Sequence, residues 1–118
     1  MGLRVKGHRE KLDGQKLADY TSCIEFAKRC IGARHFDAAI EHMRKAISID
    51  PGRPEAFHLL GALMEIRGDR FEAQKNYRTA LSLDPSYEPA IKNLHRSTEG
   101  RWRQRGGILL GEVKKEEK

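Results

Sequence analysis

Apolar residues along the middle of the chain recur at threes and fours. Ile24, Phe26, Ala27, Cys30 and Ile31 fall at helical spacing. Gly32-Ala33-Arg34-His35 then makes a turn, and Phe36, Ala39, Ile40, Met43, Ala46, Ile47 and Ile49 resume the period. Pro51 stops that helix, because the residue before a proline disfavours helical dihedrals. The design then repeats. Ala56, Phe57, Leu59, Leu60, Leu63, Met64 and Ile66 form one stripe, Gly68-Asp69 turns, and Phe71, Ala73, Tyr77, Ala80, Leu81 and Leu83 form the next, ended by Pro85. The spacing predicts five helices, over 17–32, 36–49, 53–67, 70–83 and 87–103.

The two helix pairs are copies of one unit. At an offset of 34 residues, Ala39, Arg44, Ala46, Ser48, Asp50 and Pro51 are matched by Ala73, Arg78, Ala80, Ser82, Asp84 and Pro85. Such a period points to stacked supersecondary units. The residues that carry it resemble the tetratricopeptide repeat (TPR) family, whose unit has 34 residues and a W-x₂-L-G-x₂-Y…A-x₃-F…P pattern. In the second copy the matching residues are Phe57, Leu60, Gly61, Met64, Ala73, Tyr77, Ala80 and Pro85. In the first they are Cys23, Phe26, Ala27, Cys30, Ala39, Met43, Ala46 and Pro51. Ala90, Ile91 and Leu94 begin a third unit that has no second helix. The resemblance implies an all-α TPR-type solenoid of about five antiparallel helices. Its repeats cover about 20–53 and 54–87, with a capping helix over 88–103 in a domain spanning 16–103. Small residues at Ala27, Ala39, Gly61 and Ala73 let paired helices approach closely.

Composition narrows the class. The chain has 118 residues, enough for one domain, with 23 lysines and arginines against 17 acids. The net charge of +6 is spread as +2 over 1–19, +2 over 20–53, −1 over 54–87 and +3 over 88–118. That is a mild bias toward anionic partners. No apolar run approaches the length of a membrane span, and no apolar stretch follows the basic start, so a cytoplasmic protein without membrane contact is expected. Cys23 and Cys30 stand seven residues apart, a rise of roughly 10 Å on a helix, too far for a disulfide. Both fall on core slots, where a free thiol behaves as a small hydrophobe.

Catalytic chemistry finds no support. HExxH, GxSxG, Walker A and GxGxxG patterns are missing, and His8, His35, His42, His58 and His95 lack metal-ligand spacing. No catalytic residue, metal or cofactor is expected. Arg67-Gly68-Asp69 spells an adhesion tripeptide but falls where the repeat needs its turn.

The resemblance implies a concave groove lined by the first helix of each repeat, which holds a peptide or a partner's helix. Carried over, the groove residues are Thr21, Ile24, Lys28 and Ile31, then Glu55, His58, Ala62 and Glu65, then Lys92 and Arg96. The expected function is a non-enzymatic interaction module, an adaptor or assembly factor, for another protein with some acidic character. Two and a half repeats is short for a solenoid, so self-association also enters. The family's best-known variant clamps a C-terminal carboxylate. Here Ile24, Lys28, Leu59, Pro89 and Asn93 occupy the clamp's slots, and chaperone-tail binding is not expected. The ends are read as a flexible basic lead-in (1–15) and a flexible charged tail (104–118). Within 100–118, Arg101, Arg103 and Arg105 surround Trp102. With Arg96 they make the competing reading, an RNA- or polyanion-binding patch in which arginine and an aromatic stack on bases; alternatively Trp102 packs on the cap.

Overall fold

The computed structural model describes residues 2–99 and 107–113, with side chains from residue 14 onward. Five helices follow one another: α1 (Gly2–Gly32), α2 (Phe36–Ile49), α3 (Glu55–Ile66), α4 (Arg70–Leu83) and α5 (Glu88–Ser97). Among the described residues there is no strand, and no helix is long and apolar enough to cross a membrane. The architecture is the all-α helical repeat that the periodicity predicts. α1 pairs with α2 and α3 with α4, while α2 packs on α3 and α4 on α5.

The boundaries of α2 and α4 coincide with the expectation, and α3 starts two residues later than 53. α1 differs more. It begins at Gly2, so the stretch read as a flexible lead-in is helical. That stretch has no apolar stripe and carries three glycines, but it also holds two each of Arg, Lys and Leu, which are good helix formers. α5 is shorter than expected and ends at Ser97, where the Thr98 N–H donates to the Leu94 carbonyl at 3.1 Å.

Both helix pairs turn in the same way. In the first, the His35 N–H reaches the Cys30 carbonyl at 2.8 Å and Arg34 adopts φ 62°. In the second, the Asp69 N–H reaches the Met64 carbonyl at 2.8 Å and Gly68 adopts φ 89°. This six-to-one bond around a left-handed residue closes a helix end. The repeated Asp-Pro that ends α2 and α4 is explained too. Asp50 accepts from the Gly52 N–H and Asp84 from the Ser86 N–H, the same side-chain turn in each copy.

The larger core cluster joins Tyr20, Cys23, Ile24, Ala27 and Ile31 of α1 to Ala39, Met43 and Ala46 of α2 and to Ala56, Leu59 and Leu63 of α3. The small residues sit where helices touch, and Ala27, Ala39 and Ala73 are fully buried. A Cβ on Gly61 would stand 2.6 Å from two ring carbons of Tyr77 and 3.0 Å from the Ala73 carbonyl, so α3 and α4 meet there almost backbone to ring. Cys23 is buried and Cys30 half-buried; both are free thiols.

Two expected core aromatics lie outside. Phe26 is 49% exposed and Phe71 83% exposed. Phe26 occupies the slot that Leu60 fills one repeat later, and Leu60 packs on the cluster that joins α1, α2 and α3. No repeat precedes the first among the described residues, so the Phe26 slot opens to solvent. Its ring stacks on His42 at 5.4 Å, with Arg29 over its face.

Candidate functional site

The inner faces of α1, α3 and α5 converge on a groove, and the groove is filled by this chain. Residues 107–113, Gly-Ile-Leu-Leu-Gly-Glu-Val, run through it, without regular secondary structure from Ile108 onward. Leu110 and Val113 pack against the larger core cluster. Polar side chains of the groove bond almost entirely to main-chain atoms of the segment.

Asn93 of α5 makes the tightest of these contacts. Its Nδ2 donates to the Leu109 carbonyl at 2.8 Å, and the Leu109 N–H donates to its Oδ1 at 2.9 Å. The side-chain amide thus pairs with one residue's backbone as a neighbouring strand would. His58 of α3 contacts the same carbonyl through Nε2 at 2.8 Å. A carbonyl only accepts, so Nε2 carries the proton and both lone pairs of the Leu109 oxygen are used. Lys28 of α1 donates to the Gly111 carbonyl at 2.8 Å and meets the Glu112 carboxylate at 3.2 Å. The Tyr87 hydroxyl, at the start of α5, donates to the Glu112 carbonyl at 3.0 Å. Three helices therefore read the carbonyls of residues 109, 111 and 112 and the amide of residue 109.

The groove floor is buried and polar. Asn93 and His58 are fully buried and Tyr87 nearly so. Burial holds the His58 imidazole down, near a pKa of about 4, although its bond to Leu109 opposes this. Protonation would also place a proton on Nδ1, a buried atom without a partner among the described residues. His58 is thus neutral at pH 7. The rings of Tyr77 and Tyr87 flank it, each with its centroid 5.4 Å away. Burial pushes both tyrosine hydroxyls far above their ordinary pKa, so they serve as hydrogen-bonding groups and not as anions.

A buried ion pair closes one end. Glu65 of α3, 0% exposed, accepts from both terminal guanidinium nitrogens of Arg96, at 2.6 and 2.9 Å, and from the Tyr77 hydroxyl at 2.7 Å. This two-pronged geometry is the strong form of an arginine–carboxylate pair. α5 is also tied back to α4, since Arg70 and Gln74 both donate to the Ser97 carbonyl. At the other end, Glu55 pairs with Arg53 at 3.4 Å, and the Tyr20 hydroxyl receives the Ala56 N–H at 2.9 Å.

The expected groove residues therefore divide into three groups. Lys28 and His58 touch the segment. Glu65 and Arg96 neutralise each other, so Arg96 is not a free cation for an acidic ligand or a polyanion. Ile24 and Ile31, expected in the groove, are core residues, 1% and 6% exposed. Thr21 is half-buried at the groove's edge, Glu55 and Ala62 are buried in α3, and Lys92 is exposed. Lys92 lies off the groove because the segment meets the face of α5 that carries Asn93, about 100° further round the helix. Sequence reasoning singled out neither Asn93 as a contact nor Tyr87. Asn93 did stand in a known clamp slot, and that was the available signal. Arg101, Trp102, Arg103 and Arg105 lie outside the described residues.

A cleft of about 570 Å³ opens beside the segment, between Lys28, the 86–89 turn and residues 109–112. Among the described residues no group of three histidines, cysteines or carboxylates could hold a metal ion.

Comparison with known proteins gives one match. A tetratricopeptide repeat family model covers residues 33–53, the turn and second helix of the first repeat, through the Asp-Pro turn. No curated protein and no solved structure matches the chain. With five helices, two turns closed by the same backbone bond, a 34-residue offset and this match, the chain is an all-α helical-repeat protein in which residues 33–53 match the tetratricopeptide repeat, a repeat that in general serves protein–protein interaction.

Proposed function

We propose that this chain is a non-enzymatic adaptor whose concave groove holds a non-helical peptide segment of a protein partner. The observation that carries the reading is the seating of residues 107–113, held through backbone atoms by Asn93, His58, Lys28 and Tyr87. These polar contacts go to main-chain atoms, so a segment of another chain that offers the same carbonyls and fits the same packing can take them. The expected acidic character of the partner narrows to one place. His58 is neutral and Arg96 is paired, which leaves Lys28 facing the segment's Glu112. Glu112 is 84% exposed, so this pair adds little affinity.

The test uses the full-length chain with Leu110→Asp. A carboxylate in place of the packed leucine expels the resident segment, because burying an unpaired charge is costly. A labelled peptide of sequence GGILLGEVKK should then bind with saturation, and binding should weaken at least about tenfold on adding Asn93→Ala and Lys28→Ala. A variant of unchanged helicity that binds no peptide contradicts the reading.

A further inference from the structure

We infer that the groove selects its partner through one glycine: the segment it accepts reads leucine, glycine, any residue, valine, in the pattern of Leu110-Gly111-Glu112-Val113, and the chain's own copy competes with the partner's. This deepens the reading above and rests on it. The argument begins at Gly111. Its φ is +84°, a conformation that L side chains rarely adopt. Space forbids a side chain as well. A Cβ there would overlap the Tyr87 hydroxyl and stand 3.2 Å from a ring carbon of His58. Neither neighbour can easily yield. The Tyr87 hydroxyl is engaged with the Glu112 carbonyl, and His58 is held by Leu109 between two tyrosine rings.

The flanking positions have their own requirements. Leu110 and Val113 reach the core cluster, one on each side of the glycine. The residue between them, Glu112, is exposed and uses only its carbonyl and a rim contact to Lys28. Apolar, glycine, free and apolar is therefore the order in which the groove constrains side chains.

The partner's chemistry follows from what departure of the resident segment would leave behind. Asn93 and His58 are fully buried and Tyr87 is 2% exposed, and each bonds this segment through at least one polar atom. Buried polar groups left unpaired are costly, so a replacement must offer the same carbonyls in the same places. A helix cannot, because its own hydrogen bonds consume them. The replacement is a non-helical strand with the same glycine. Tethering gives the resident segment an effective concentration on the order of millimolar, so it suppresses weak ligands that lack the pattern.

The experiment extends the peptide titration. The full-length Leu110→Asp chain is titrated with GGILLGEVKK and with the same peptide carrying alanine in place of the glycine that corresponds to Gly111. The alanine peptide should bind about tenfold more weakly or worse. The unsubstituted full-length chain should bind GGILLGEVKK at least about tenfold more weakly than the variant, because its own segment holds the groove. Equal binding of the two peptides overturns the glycine rule. Equal binding by the two proteins overturns the competition. If neither peptide binds, the groove reading itself fails, and that outcome is distinct from both. Gly111→Val in the full-length chain provides a second way to release the segment and should give the same ranking of peptides.

Discussion

The two repeats share one backbone plan and use it differently. Thirty-four residues apart, α1 places Ile24, Lys28 and Ile31 where α3 places His58, Ala62 and Glu65. In the first repeat the two isoleucines join the core. In the second the same slots hold buried polar groups whose partners come from α5 and from residues 107–113. The turns differ in the opposite sense. Repeat two has Gly68 at its left-handed position and Asp69 capping α4, with the Glu72 N–H at 3.2 Å. Repeat one has Arg34 at the left-handed position and His35 without a side-chain cap. Repeat one therefore carries core apolar contacts with poor local signals. Repeat two carries buried polar groups on a locally better-specified frame. Buried polar groups cost stability unless fully paired, and good turns help to offset that cost.

Breaking the polar face of repeat two should have the largest effect. Arg96→Ala leaves Glu65 buried without its cation, and a loss of about 3–5 kcal/mol in urea unfolding is expected. Ile31→Ala, at the slot of Glu65 in repeat one, removes only apolar packing and should cost about 2–5 kcal/mol, with no change in how stability responds to pH.

Acid should separate the repeats next. The folded pKa of His58 lies near 4 and its ordinary value is 6.5. The unfolded chain therefore takes up a proton that the folded chain refuses as pH falls below 6.5. Stability from this group is complete above pH 6.5 and falls from there to about pH 4, by on the order of 3 kcal/mol. Urea midpoints measured across that range should show the slope, and Leu110→Asp, which uncovers His58, should flatten it.

Close packing in repeat two gives the third contrast. Gly61→Val forces the Tyr77 ring away from α3 and should cost about 1–3 kcal/mol, read as a lower melting temperature. The turns give the smallest. Arg34→Gly relieves a left-handed arginine and should stabilise by about 1 kcal/mol, while Gly68→Ala should destabilise by a similar amount. Equal and like-signed shifts at the two turns would erase the comparison.

Much of this frame is legible in the chain itself. Helical period, the 34-residue offset and the small-residue slots place five helices, two with their stated ends. Lys28 and His58 lie on the groove face that the tetratricopeptide resemblance implies. What period cannot reach is the segment. Gly107 to Val113 has no periodicity, and its bonds join Lys28 to a residue 83 positions away through a backbone carbonyl. Such contacts depend on tertiary placement and leave no trace in a pattern of side chains. Asn93 and Tyr87 were obscure for the same reason, since they answer a backbone and not another motif. Phe26 misled because an aromatic on a repeat slot reads as core, whereas among the described residues it is 49% exposed and stacks on His42.

The seated segment is the claim on which function rests, and the Leu109 amide reports on it directly. Its N–H is bonded to the buried Asn93 side chain. Hydrogen exchange on the full-length chain should find that amide strongly protected, with protection lost in Asn93→Ala while the amides of α3 stay protected. Exchange of Leu109 at the rate of a free peptide in the unsubstituted chain would contradict the account.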